Sequence, residues 1–246
     1  MKAGKMNIRS YLADLLALER NDIFFIYYPK SGGSWLRLLL LNCGLAEERM
    51  CYSHRQLNKE MPEIGCGIGL QSGIRFNSKR IIKSHRIIPG VTSRFSCFST
   101  VRNPIHSLAS LYVYGGFNTR ITLKEYLNSK HGIPYLRQHY NFIKGNSQSV
   151  VVVSYEQLKK NTQRTISDLS KKLDLGISES RLEYVIQNFS RQEQIDVEKM
   201  EAEKMELKDF SKPKNHDSLI DEITKYKSKD LDDIFEDYHI YNQIVG

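Results

Sequence analysis

The chain has 246 residues, 40% of them hydrophobic and 26% charged, which suits one substantial core and excludes an intrinsically disordered protein. With no apolar run of about 18 residues, and no long apolar segment with a small-residue cleavage site in Met1–Asp14, it reads as soluble and cytoplasmic, with neither membrane span nor secretory leader. The net charge of +8 is uneven: residues 1–192 hold 28 Lys/Arg against 13 Asp/Glu and residues 193–246 hold 8 against 15, so a basic body suited to an anionic ligand carries an acidic tail.

Ile8, Leu12, Leu15, Leu16 and Leu18 recur at helical spacing and predict a leading helix over 7–20. Phe24 to Tyr28 suit a buried strand. Gly32 and Gly33 then punctuate the chain before an apolar helical run begins at Trp35. Strand, loop and helix together form an anion site, because N–H groups at a helix start favour negative charge and Lys30, Ser31 and Ser34 lie in the turn. From Glu47 to Lys79 the pattern weakens into a loop-rich excursion with one short helix near Ser53–Glu60.

Arg80–His85 reads as a strand delivering Lys83 and His85 at its end, and Phe95–Val101 as another, stopped by Arg102-Asn103-Pro104. Helical segments follow over Ile105–Tyr114, Leu123–Ser129 and Pro134–Lys144. Ser149–Val153 is the best parallel-strand candidate, and Tyr155–Leu173 reads as one amphipathic helix. Strands alternating with helical crossovers predict an α/β fold with a central parallel sheet flanked by helices. Ligands in such sheets sit beyond the carboxyl ends of the strands, where Lys30, Lys83, His85, Arg102 and Tyr155 all fall. The tail from Glu193 reads as charged helices joined near Ser211–Asn215. Four cysteines without a C-x-x-C pair indicate buried, reduced thiols.

The loop is not a nucleoside triphosphate loop of the order G-x-x-x-x-G-K-[ST], since Lys30 precedes the glycines and Trp35 follows them at once. Tyr28-Pro29-Lys30-Ser31-Gly32-Gly33-Ser34-Trp35 resembles instead the 5′-phosphosulfate loop, Y-P-K-S-G-x-[ST]-W, of sulfotransferases that use 3′-phosphoadenosine 5′-phosphosulfate (PAPS). Three further elements resemble that family in order. Lys83-Ser84-His85 resembles K-[TS]-H; Arg102-Asn103-Pro104 with Ser110 and Tyr112 resembles R-N-P-x-D-x-x-x-S-x-Y; Tyr155-Glu156-Gln157-Leu158 resembles Y-E-D-L.

The resemblance implies a P-loop-like sulfotransferase fold in one domain over 1–246, with 22–176 as its core and 193–246 as a divergent acidic tail. It implies that Lys30 contacts the bridging oxygen, that Ser31, Gly32, Gly33 and Ser34 hold the 5′ side, and that Trp35 and Tyr155 line the adenine. Arg102 and Ser110 would bind the 3′-phosphate, His85 would be the catalytic base, and Lys83 would neutralise the transferring group. A histidine suits that role, as its ordinary pKa lies near neutrality. No metal is implied, and the acceptor would be a small molecule or glycan. The pattern departs from the family at His106, where an acidic residue is usual, at Gly33, where a threonine is usual, and in the tail, where only Lys212-Pro213-Lys214 approaches the family's R-K-G segment. The competing readings are a nucleotide-dependent kinase or NTPase on a related sheet and a non-catalytic polyanion-binding domain. The latter predicts massed basic residues, whereas these basics fall singly at strand ends, so no nucleic acid partner is expected.

Overall fold

A computed structural model describes residues 20–47, 73–76, 78–188, 216–226 and 228–244. The leading helix apart from Arg20, the helix near Ser53–Glu60, the join at Ser211–Asn215 and Lys212-Pro213-Lys214 lie outside these residues.

The first strand, β1 (Ile23–Ile26), is buried along its whole length, and its side chains alternate between two cores. Ile23, Phe25 and Tyr27 face one core; Phe24, Ile26 and Tyr28 face the other. A strand covered on both faces needs an unbroken apolar run, which this segment supplies. α1 (Gly33–Cys43) follows, then β2 (Leu45–Glu47), β3 (Gly73–Phe76), β4 (Lys79–Ser84) and β5 (Ser96–Val101). α2 (Pro104–Tyr114), α3 (Leu123–Asn128) and α4 (Ile133–Gly145) lead to β6 (Val150–Ser154). The remaining helices are α5 (Tyr155–Lys160), α6 (Thr162–Leu173), α7 (Glu179–Asn188), α8 (His216–Lys225) and α9 (Lys229–Ile244).

The sheet order is β2-β3-β4-β1-β5-β6, with β4, β1, β5 and β6 parallel and β2 and β3 antiparallel. The expected parallel core is present, and the edge pair is an addition to it. β2 and β3 escape a pattern reading because strands of three and four residues are too short for alternation to register, and Gly73 ends a glycine-rich stretch. One core joins α1, α5, α6 and α7 to the sheet; the other joins α2, α3, α4, α8 and α9. Phe25 and Phe98, in register on β1 and β5, stack with centroids 4.3 Å apart in the first of these. β1 lies between β4 and β5, so the chain leaves it first to one side and later crosses to the other. That arrangement makes its carboxyl end the switch point where ligands bind in open α/β sheets.

The helix expected over Tyr155–Leu173 is two. Asn161, at φ −146°, closes α5 and caps α6 by accepting from the Arg164 N–H at 3.2 Å, so one residue with two capping duties breaks the run. The acidic tail docks through apolar residues, Ile223, Leu231, Ile234, Tyr238 and Tyr241, and lays its carboxylates against the basic side of α4. Arg137 pairs with Asp230 and Asp233, and Lys144 with Asp237 at 2.9 Å. The exposed pairs of Arg137 set orientation more than stability.

At the amino ends of the strands, Asp22 and Arg80 form a buried bidentate pair, Nε to Oδ1 at 2.7 Å and Nη2 to Oδ2 at 2.5 Å. Removing one partner strands a buried charge, so Asp22→Ala is expected to cost about 3–5 kcal/mol in chemical denaturation. A loss below about 1 kcal/mol would show that water reaches the guanidinium.

Candidate active site

Three strand ends meet at the switch point. After β1, the Tyr27 N–H still bonds to Ser84 O at 3.2 Å, holding β1 to β4 as the loop begins. Lys30 and Gly32 both take positive φ, 67° and 92°, and curl the backbone around Ser31. Lys30 is not a glycine, so this left-handed turn is strained and is held by its surroundings. Ser31 does much of that holding. It is buried, its Oγ donates to Tyr28 O at 2.6 Å and lies 2.7 Å from Thr100 Oγ1 on β5, and its N–H bonds to Tyr28 O. Its side chain thus builds the loop and faces away from it. α1 then starts at Gly32 with no side-chain cap, leaving its first-turn N–H groups to the loop mouth.

The second arm is the end of β4, where Lys83 and His85 are both buried. The Lys83 ammonium lies 5.5 Å from the Tyr27 ring centroid, and the His85 imidazole meets the same ring edge-on at 4.6 Å. His85 Nδ1 is 3.1 Å from Tyr27 O. A carbonyl only accepts, so Nδ1 carries the proton and Nε2 of the neutral ring is a bare acceptor. Burial, then the charge of Lys83, holds the His85 pKa well below the ordinary histidine value; Lys30 adds to this from the loop.

The third arm is the turn after β5. Asn103 caps α2, accepting from the N–H groups of Ile105 and His106 at 3.0 and 3.3 Å, and Pro104 takes the first helical position. The cap aims Arg102 back across the loop. Its Nη1 donates to Lys30 O at 3.0 Å and its guanidinium stacks 4.7 Å from the Tyr155 ring centroid. The Lys30 ammonium in turn lies 4.7 Å from the Tyr114 ring centroid on α2. Tyr155 also meets Trp35 edge-on at 6.1 Å. Ser110 is buried on the second turn of α2, and no hydrogen bond of Ser110 or Ser34 to this cluster appears among the described residues.

Glu156, read from the sequence as a first-turn complement to the helix dipole, also clasps this turn. It accepts from the Asn103 N–H at 3.0 Å, and its charge helps raise the pKa of Tyr238 on α9, behind the effect of burial. Sequence reasoning missed Tyr27, Tyr135, His139 and Tyr238. The last three sit on buried faces of α4 and α9 and look like ordinary core positions; the bulk of Tyr27 beside an unusual Gly33 was the one available signal.

A sequence profile described as "Sulfotransferase domain" matches residues 20–239. The chain belongs to the sulfotransferase family. The match runs well past Gly176, the end of the core expected from the motifs, and takes in most of α9. The human protein Sulfotransferase 2A1 is 23% identical over 203 residues, which are 73% of this chain and 68% of that protein. Among solved structures, mouse sulfotransferase SULT7A1 complexed with PAP superposes with a TM-score of 0.57 at 17% identity, covering 94% of this chain and 88% of that one. Retinol dehydratase in complex with androsterone and inactive cofactor PAP gives 0.56 at 15%, covering 94% and 85%. The fold is therefore the sulfotransferase fold, and the protein a sulfotransferase. No helix among the described residues is long and apolar enough to cross a membrane.

The family's threonine at position 33 is absent for a steric reason. A Cβ on Gly33 would lie 2.0 Å from Tyr27 Cε2 and 2.4 Å from Cζ, so the ring of Tyr27 fills the space of any side chain there. Gly32 is likewise crowded, its Cβ position 2.2 Å from Tyr155 Cδ2. Gly33→Thr is expected to disrupt the loop and destabilise the protein by about 1–3 kcal/mol, the range for overpacking, and to cost less than that when Tyr27→Thr has already removed the ring. Thermal denaturation of the two single variants and the double variant measures the coupling. Strict additivity would contradict the clash.

Proposed function

We propose that this sulfotransferase moves a sulfuryl group from PAPS to a hydroxyl or amine of a small-molecule acceptor, with His85 as the base. The observation that carries the reading is the convergence of Lys30, Lys83, His85 and Arg102 at the carboxyl ends of three adjacent strands around the uncapped start of α1.

The residues fit the donor. Its 5′ side carries charge suited to the first-turn N–H groups of α1 and to Lys30, with Ser34 at the helix mouth. Trp35 and Tyr155 are aromatic walls for a purine, and the buried Nε1 of Trp35 has no hydrogen-bond partner among the described residues. Arg102, with Ser110 further along α2, is assigned to the 3′-phosphate. PAPS supplies the activated sulfuryl group; the chain supplies positioning and charge. Nε2 of His85 takes the acceptor proton, Lys83 offsets charge on the transferring group, and Lys30 offsets charge on the departing phosphate. The retinol dehydratase structures, in complex with androsterone or with retinol, support a small molecule over a glycan as acceptor. We assign the described elements and the acidic tail to one domain and the protein to the cytoplasm.

Calorimetric titration with adenosine 3′,5′-bisphosphate and ATP in parallel tests the donor. The bisphosphate is expected to bind the more tightly, and Arg102→Ala to weaken it about ten- to a hundredfold, as loss of a bond to a charged group does. Equal or better binding of ATP would sink the assignment.

The base is tested with the most active acceptor from a panel of phenols, sterols and amines. His85→Ala is expected to lower kcat by about a hundredfold or more with bisphosphate binding retained. Because the His85 pKa lies below the ordinary value, Nε2 stays unprotonated as the pH falls through about 6.5. The acidic limb of kcat/KM should therefore lie below that value. A limb at or above it, absent in His85→Ala, would assign the ring a different environment.

A further inference from the structure

We propose that Tyr135 and His139 of α4 are positioning residues for sulfuryl transfer: they grip the main-chain carbonyl of His85 and so fix where its Nε2 stands. The inference rests on His85 being the base. His85 directly follows the last residue of β4, where the ladder to β1 ends and the backbone needs another restraint. The Tyr135 hydroxyl donates to His85 O at 2.6 Å, and His139 Nε2 reaches the same oxygen at 3.1 Å. Tyr27 O holds the ring through Nδ1 at 3.1 Å. The residue is thus anchored on both sides of its Cα, by Tyr27 just beyond β1 at the imidazole and by α4 at the carbonyl.

The two donors lie one helical turn apart on the buried face of α4, with Tyr135 8% and His139 2% exposed. Their rings meet edge-on at 5.0 Å, and Tyr28, next to the residue that holds the His85 ring, packs against both at 5.3 and 5.8 Å. The acceptor is a carbonyl, so His139 must carry its proton on Nε2. Its Nδ1 is then a bare acceptor, buried and without a hydrogen-bond partner among the described residues. An apolar side chain would fill this space without burying an unsatisfied nitrogen, so the reason for a histidine here is the bond it donates. Burial holds its pKa at about 4, so His139 stays a neutral donor across the working range. The groups facing it are His85, Tyr28 and Tyr135, none of which carries a charge near neutrality. A catalytic group must be held to within about 0.5 Å of its productive place, and about 1 Å of error can cost a hundredfold in rate.

The test uses Tyr135→Phe, His139→Leu, His139→Gln and the double variant Tyr135→Phe/His139→Leu, with kinetics on the panel acceptor and titration with adenosine 3′,5′-bisphosphate. The double variant should lose about tenfold or more in kcat with bisphosphate affinity unchanged. His139→Gln, whose amide nitrogen can donate as Nε2 does, should stay within about twofold of the parent, unlike His139→Leu. Nitrogen NMR of protein labelled with 15N-histidine gives a readout independent of acceptor: His85 should leave its single Nδ1–H tautomer for a mixture in the double variant. Unchanged kcat together with an unchanged His85 signal would overturn the inference, as would a parallel fall in bisphosphate affinity. Full activity in His85→Ala would instead overturn the assignment of the base.

Discussion

The arrangement of this molecule depends on the placement of β1 between two cores. Because odd-numbered residues from Ile23 to Tyr27 pack on one side and even-numbered residues from Phe24 to Tyr28 on the other, the strand has no solvent-facing side and no freedom of register. A one-residue slip would exchange the two sets and bring Tyr28 under Gly33 in place of Tyr27. The anion loop, the ring that shapes it and the carbonyl that orients His85 all follow from this one register.

Much of the fold was readable because its parallel core is made of near-continuous apolar runs. Val150 to Val153 and Phe24 to Ile26 could be little else, and the Asn103-Pro104 pair marks a strand end and a helix start by mechanisms local to the chain. The edge pair β2 and β3 and the break at Asn161 were not readable, as each depends on a few residues whose local preference is weak. The motif residues were found singly, yet what several of them do was hidden. Ser31 looks like a ligand-facing hydroxyl in the sequence, but Thr100, 69 positions away, draws it inward. Glu156 looks like a helix-start carboxylate, and only the packed structure shows it reaching the Asn103 N–H.

Charge follows the same logic. The excess positive charge of the body is divided between two uses: Lys30, Lys83 and Arg102 are drawn to the strand ends, while Arg137 and Lys144 on α4 receive the acidic α9. Among the described residues, the opposed charges of α4 and α9 are thus one interface seen from two sides. Burial compounds the effect at His85, where desolvation and two lysines act in the same direction.

The clasp at Glu156 ties the site to the order in which the chain is made. Asn103 bonds to Glu156, and Ser154 Oγ, two residues before Glu156, bonds to Asn242 at 2.6 Å, so the strand end beside the turn bearing Arg102 is closed by the last described helix. A nascent chain emerging from the ribosome can complete the loop after β1 once β5 arrives with Thr100. The β6 end beside the Arg102 turn gains its Asn242 contact only after α9 has been made, so the two sides of the anion site do not receive all their contacts at the same moment of synthesis.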